Sequence, residues 1–469
     1  MQRFQSIEDL EAMLGPNLSP AEQTLIIICS QPSLKGVVYD FGGPVDGGRE
    51  ANLEPGRQIR TEILLHCLYD LFETWSQRNR LFKIAGAQIV GKLPFLADGR
   101  IAASIIFDSC IFQADIEAPR LKVDGDLVFK NCHIQYLDLS GAKIAGDLSF
   151  EGLSSRGRHD RDGRSLRLQN IYVGGALIIR KSDTKNTVSG VVDLTAASVG
   201  SLVDNAHYCS DKAQYILAGV TYDRIIGPID ARTRLKWLAR GDHWNGEFFP
   251  QPYKQLAKVL DDMGHEADAR EVKVELERRL RQLFRRNQFR REPIETTNNV
   301  RLGTAIAETL LSLPKAINFL WDATLDWFYR SILGYGYKPL LTIRWVAVLI
   351  LLCWVPSYIA WQTGGFAPNS AVMLQHSDWI TLPLEGNAAE IWATKTPTGR
   401  DWESFCAIAY AADVVIPIID LGQTEAWAPS TTRGLAGVIL WWARWVFTLA
   451  GWIVTALGAA ALTGVIRRE

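Results

Sequence analysis

The side chains best suited to chemistry are scattered along this chain. Seven histidines (His66, His133, His159, His207, His243, His265, His376) show no metal-ligand spacing, and seven cysteines (Cys29, Cys67, Cys110, Cys132, Cys209, Cys353, Cys406) contain no Cys-x-x-Cys pair. Reduced, structural thiols are the plain reading. No serine stands in a nucleophile elbow, and no Gly-x-Gly-x-x-Gly opens a helix after a strand. Haem and iron-sulfur cysteine spacings are missing, and Phe41 to Gly48 lacks the Lys-Ser/Thr of a phosphate loop, so it reads as a turn. Catalytic, metal and cofactor-binding residues are therefore assigned to none.

Two groups of charges remain. Asp413 and Asp420 sit with Pro417 in the apolar stretch Ser404 to Leu421, where a carboxylate needs water or a partner to receive it. Arg278, Arg279, Arg281, Arg285, Arg286, Arg290 and Arg291 form a basic run, read as an anionic-lipid contact or positive-inside determinant in preference to nucleic-acid binding. Fifty basic against fifty-one acidic residues leave a net charge of -1, so bulk electrostatics select neither nucleic acid nor a polyacidic partner.

The elements that position these charges begin with two apolar runs. Leu340 to Trp361 holds one charge, Arg344, and is bracketed by Trp345 and Trp361; at about 1.5 Å per residue it covers a hydrocarbon core of about 30 Å. Pro356 predicts a kink. Trp445 to Ile466 is rich in small residues, including Gly451 and Gly458, which permit close helix packing, and it stops at Arg467 and Arg468. Lys338 before the first span and the two terminal arginines predict cytoplasmic termini. The segment from Gln362 to Arg444 then faces the other side, and Ser404 to Leu421 either dips into the bilayer as a re-entrant segment or lies on its surface. Ala316 to Ile332 carries Ile317, Leu320, Trp321, Leu325, Phe328 and Ile332 at helical spacing and reads as an interfacial amphipathic helix.

The N-terminal half has no signal-peptide core. A Val/Ile-x-Gly-x-Leu-x-apolar phrase recurs there: Ile89-Gly91-Leu93-Phe95, Val123-Gly125-Leu127-Phe129, Ile144-Gly146-Leu148-Phe150 and Val173-Gly175-Leu177-Ile179, with a shortened copy at Val199, Gly200 and Leu202. Alternation with a fixed glycine predicts stacked short strands, a β-solenoid, with Ser154 to Ser165 as an excursion loop; a β-sandwich is the alternative. Arg57 to Phe72 predicts a helical cap, and Tyr253 to Met263 with Glu266 to Asn287 a helical hairpin turning at Gly264.

The order expected is a helical cap region over 1–80, β-solenoid over 81–230, helical hairpin with basic segment over 231–300, amphipathic interfacial helices over 301–339, and a two-helix transmembrane domain over 340–469. The phrases above resemble a bacterial family of membrane proteins with a pentapeptide-like β-solenoid, often labelled "membrane-associated oxidoreductase". So do Gly246-Glu247-Phe248 with Pro250-Gln251-Pro252-Tyr253, Gly334 to Pro339, and Pro417, Asp420, Leu421, Gly422, Trp427, Gly451 and Trp452. The resemblance covers most of the chain and implies a multi-pass protein of the bacterial inner membrane.

Three functions are open. Two spans flanking a re-entrant segment match the layout of two-helix pore-loop channels; two helices enclose no pore alone, so this reading expects a homo-oligomer passing ions, with Asp413 and Asp420 as the acids facing the pore and Pro417, Gly451 and Gly458 as the other candidate residues of the pore or re-entrant segment. Gly334 to Gly336 match a potassium-filter phrase but precede the first span, and count as a decoy. The alternative is a membrane-anchored scaffold whose solenoid binds a protein partner. Redox activity follows from the family label alone.

Overall fold

The structure, a computed structural model, describes residues 18–289 and 321–463 apart from 30–35, 42–54, 72–80, 96–98, 156–162, 181–187, 189, 205–212 and 383–385. Arg290, Arg291, residues 301–320, the terminal arginines, His159, His207, Cys209 and most of the expected excursion loop lie outside the described residues. The chain divides into two compact units, Met1–Leu276 and Glu277–Glu469.

The first unit is a β-solenoid of about five turns. The early turns lay down four short strands, for example Lys122–Val123, Leu127–Lys130, His133–Ile134 and Leu137–Asp138, each pairing in parallel with its equivalents in the turns before and after, and in later turns the first two merge into one strand, as in Tyr172–Arg180. Alternation decides what is inside. Val123, Ile144, Val173 and Val199 stack in one register, and Leu127, Leu148, Leu177 and Leu202 in another. All eight are at most 4% exposed. Phe107, Phe129 and Phe150 stack between them, with centroids 5.5 and 5.9 Å apart. Corners need left-handed backbone, and successive turns place Arg120, Gly141, Asn170, Ala196 and Gly219 there with φ from 54° to 76°.

The glycine in the repeated phrase has a specific cause. Asp126 Oδ1 accepts from the Asp147 N–H at 2.8 Å, and Asp147 Oδ1 from the Ala176 N–H at 2.7 Å. Each carboxylate occupies the space that a Cβ would take at Gly146 and at Gly175 respectively. The copy Ile89-Gly91-Leu93-Phe95 belongs elsewhere: Ile89 pairs with Phe112 and Leu93 with Ile116, while Ile101 and Ile105 precede Val123 and Leu127 in register. Every side of the coil buries alternate residues, so one apolar phrase fits more than one side.

The expected helix Arg57 to Phe72 starts later than its periodicity predicts: Gln58–Arg60 is a strand, and helix runs from Thr61–His66 into a π-helical turn at Cys67–Leu71. Strand pairing of Ile59 with Ile89 overrides the helical periodicity there. Helix Pro20–Cys29 packs nearby and opens with a capping box, the Glu22 N–H donating to Ser19 Oγ and the Ser19 N–H to Glu22 Oε2. Glu22 also takes Arg60 at 2.8 Å. Burial alone would raise its carboxyl, but the Arg60 guanidinium and the Ser19 and Arg60 N–H groups together hold it below the usual carboxylate range.

At the other end of the coil, helix Ala231–Leu238 and the hairpin Gln251–Asp262 and Glu266–Phe289 follow the last strand, Thr221–Ile226. Gly264 turns the hairpin at φ 84°, with His265 N–H on Leu260 O and Gly264 N–H on Asp261 O. The Pro-Gln-Pro-Tyr segment acquires a physical role. Gln251 accepts from Gly219 N–H and donates to Val220 O, and Gln255 donates to Tyr222 O, so two amides satisfy backbone that a further turn would have paired. Tyr253 donates to the buried carboxylate of Asp242 at 2.7 Å.

The second unit contains two helices long and apolar enough to cross a membrane, Leu341–Gln362 and Gly434–Leu462. Only 17% and 22% of their most apolar windows are buried inside the chain, far less than a core helix would show. The second starts eleven residues before the Trp445 expected from sequence, because Gly434 sits at φ 75° and the apolar residues after it continue the helix through Arg444. Arg444, expected in the outer segment, is therefore inside the helix.

Candidate functional site

Helix Ala407–Val415 packs against both long helices. Its apolar face, Tyr410, Ala411, Val414 and Val415, is buried, and extended backbone at Ile416 followed by Pro417 stops it. Three glycines of the second long helix set the geometry. Gly437 meets the backbone of Gly365, Gly458 meets Thr342, and Gly451 meets the carbonyl of Val415. In each case a Cβ would collide, so glycine permits the close approach. Gly451 and Gly458, read from the sequence as candidate pore residues, are thus contact points between helices.

Aromatic rings hold the entrance of the short helix. Phe405 stacks on Trp361 at 4.2 Å, and Trp427 meets Trp361 edge-on at 5.0 Å. Strands Phe366–Pro368 and Trp427–Pro429 pair beside them. Gln423 fastens the chain there, accepting from the Cys406 N–H and donating to Ser404 O.

Asp413 organises the return of the chain. Its carboxylate accepts from the N–H groups of Leu421, Gln423 and Thr424 at 2.6, 2.8 and 3.2 Å, folding the segment after Pro417 back along the helix it came from. Asp420 accepts from Gly422 N–H at 2.9 Å and is exposed, beside the 85%-exposed Ile418. Of the two acids singled out in the sequence, one is engaged by backbone and the other faces outward.

Sequence reading missed the polar contact at the centre of this packing. Arg444 lies beside the hydroxyl of the buried Tyr410, and its guanidinium lies 5.6 and 5.3 Å from the rings of Trp441 and Trp445. The available signal was a lone arginine inside an otherwise uncharged helix-compatible run.

The basic run is partly used within the unit. Arg281 and Arg285 reach Asp326 at 3.4 and 2.9 Å, Tyr335 donates to the same carboxylate at 2.9 Å, and Arg281 lies 4.6 Å over the Tyr335 ring. Burial, then the bond to Asp326, pushes the Tyr335 hydroxyl up to about 12. Arg286 is exposed. The described part of the amphipathic helix, 321–333, buries Ile332 and Leu333 against Val454 and Ala461 and leaves Trp321 and Trp327 exposed. Among the described residues no group of His, Cys, Asp or Glu has the arrangement of a metal site.

No protein-family model, curated protein or solved structure matches this chain.

Proposed function

We propose that the chain is a membrane protein that crosses the bilayer twice, carries 407–424 as a re-entrant segment, and assembles as a homo-oligomeric, channel-like effector with a cytosolic solenoid. The observation that carries this reading is the contact of Val415 with Gly451. Gly437 and Gly458, which meet the two ends of the first long helix, stand about 32 Å apart at about 1.5 Å per residue, the thickness of a hydrocarbon core. Gly451 lies two thirds of the way from Gly437 to Gly458, so the short helix ends past the bilayer midplane.

Turning backbone at that depth has to be satisfied internally, and Asp413 does so with three N–H groups. Asp420, exposed at nearly the same depth, needs water or a neighbouring subunit to receive it. Two spans and one short helix leave no room for an enclosed path, hence the oligomer. The exposed aromatic face of helix 321–333 and exposed arginines such as Arg286 suit the inner leaflet and its anionic lipids. The resemblance to bacterial membrane proteins supports an inner-membrane location with cytoplasmic termini.

Purified protein in a planar bilayer should pass current, and Ile418→Cys on a Cys406→Ser background should react with a membrane-impermeant thiol reagent in a way that changes it. Oligomeric protein that leaves the bilayer silent would defeat the channel and favour the membrane-anchored scaffold. A reporter fused after Glu469 should be cytoplasmic; an external reporter overturns the orientation.

A further inference from the structure

We infer that the cluster of Arg281, Arg285 and Arg330 around Asp326 holds the phosphate of an anionic lipid headgroup, which competes with Asp326 for the guanidiniums. The inference rests on the membrane reading above, which puts this region at the inner leaflet, and it adds the residues, the ligand class and the competing acid.

Charge is out of balance at this point of the chain. Over 277–289 and 321–338 seven basic residues stand against Glu277, Asp322 and Asp326, leaving four positive charges in excess. The excess converges. Arg281 and Arg285, one helical turn apart, reach the two oxygens of Asp326 at 3.4 and 2.9 Å. Arg330 follows Asp326 by four residues, on the same side of helix 321–333, and acts electrostatically on the Tyr335 hydroxyl that donates to that carboxylate. One acid answers three guanidiniums.

Joining the two helices requires one arginine and one acid, and the other arginines have no such explanation. A guanidinium carries five N–H donors; Arg281 and Arg285 each spend one on Asp326, and the Arg330 side chain has no ion pair or hydrogen bond among the described residues. Arg285 and Asp326 are 19% and 12% exposed, so bulk solvent screens the repulsion weakly. Arg281 and Arg330 keep open surface. A phosphate, whose oxygens fit the guanidinium fork, supplies the missing acceptors.

The surroundings specify a lipid as its source. Phe284, between Arg281 and Arg285 in sequence, is 64% exposed, and Trp321, Leu325 and Trp327 are exposed on the second helix. Trp327 meets Trp345 of the first long helix edge-on at 5.8 Å, and Trp345 donates to Ser331 O, so the cluster is fixed beside the end of a span. Basic side chains bordered by exposed aromatic rings at that level match a headgroup and the acyl chains below it. A free phosphate ion gains nothing from the rings.

The test titrates purified full-length protein in detergent with lipid and reads the bound lipid by native mass spectrometry. Phosphatidylglycerol should bind at least fivefold more tightly than phosphatidylcholine, whose choline already balances its phosphate, and glycerol phosphate should not displace it at equal concentration. Arg285→Gln and Arg330→Gln should each weaken phosphatidylglycerol binding about fivefold, with a smaller loss for Arg286→Gln, outside the cluster. Asp326→Asn supplies the opposite sign. It keeps an acceptor for Tyr335, removes the competing charge and should tighten lipid binding about fivefold, whereas a purely structural joint would loosen; this variant decides the matter even if Arg285→Gln folds poorly. Equal losses at Arg285 and Arg286, or weaker binding by Asp326→Asn, overturn the site, and displacement by glycerol phosphate overturns the lipid as its source. An external reporter after Glu469 with these shifts intact defeats the inner-leaflet reading and upholds the site. A cytoplasmic reporter with none of them defeats the site and leaves the orientation standing.

Discussion

Arg234 and Asp204 form an enclosed ion pair, 2.8 Å long and almost free of solvent exposure, where the solenoid's internal ladder ends. Asp204 follows Ile179 in the register that holds Phe107, Phe129 and Phe150 in earlier turns. An acid replaces the next apolar rung, and helix Ala231–Leu238 returns Arg234 to cover it. Arg234 also donates to Pro228 O, and Gly227 lies against the Asp204 carbonyl. Burial lifts the Asp204 carboxyl above its ordinary range while Arg234 pulls it back.

Removing one partner leaves the other charge buried without compensation. Arg234→Met should destabilise the first unit by about 3–5 kcal/mol, whereas Arg234→Met with Asp204→Ile should recover most of the loss by continuing the apolar ladder. Chemical denaturation of both variants checks this; equal losses would show that the pair is not the source.

Glu22 gives the N-terminal region an acid limb. Its folded carboxyl titrates below its unfolded value, so its stabilising contribution is complete above roughly pH 4.3 and is lost as pH falls through the lower folded value. Glu22→Gln should flatten this part of the stability profile below pH 5 while lowering stability at neutral pH. Thermal melts across pH 3 to 7 would reveal it, and an unchanged acid limb would exclude Glu22 as its source.

Gly451→Ala introduces a methyl group where the Val415 carbonyl lies. The short helix has to move outward, and overpacking of this kind costs about 1–3 kcal/mol. Detergent-solubilised protein should melt earlier. Gly434→Ala is a poor control because its φ of 75° is strained for alanine, so Ala459→Gly, which opens space, serves instead.

Asp413→Asn keeps one strong acceptor where the carboxylate offers two for three N–H groups. The variant should lose about 1–3 kcal/mol and expose the return segment to proteolysis near Pro417. Asp420→Asn, which removes a charge but leaves an acceptor for Gly422, should leave that cleavage unchanged in isolated subunits.

Breaking the aromatic stack tests the solenoid core. Phe129→Ala removes the ring between Phe107 and Phe150 and should cost about 3–5 kcal/mol, read from the denaturation midpoint.

The amino-acid sequence by itself determined the solenoid and the two apolar helices. Both follow from short-range periodicity: alternation buries every second residue of a strand, and an uninterrupted apolar run makes a long helix insoluble in water. The Val/Ile-x-Gly-x-Leu phrases were legible for the same reason, although the duty of Gly146 and Gly175, making room for the carboxylates of Asp126 and Asp147 in the previous turn, shows only once the turns are stacked. Assigning Ile89 to Phe95 to the wrong side of the coil and starting the second long helix at Trp445 were failures of local reading, since an apolar phrase fits several sides and one arginine looks like an end. Tertiary structure alone decided that Val415 meets Gly451, that Asp413 holds the return segment, that Arg444 meets Tyr410, and that Asp204 is closed by Arg234. Those contacts join residues thirty or more positions apart, or residues that share one loop whose turn nothing local specifies. Their energies come from close approach and from charges removed from water, and neither quantity exists until the chain has packed.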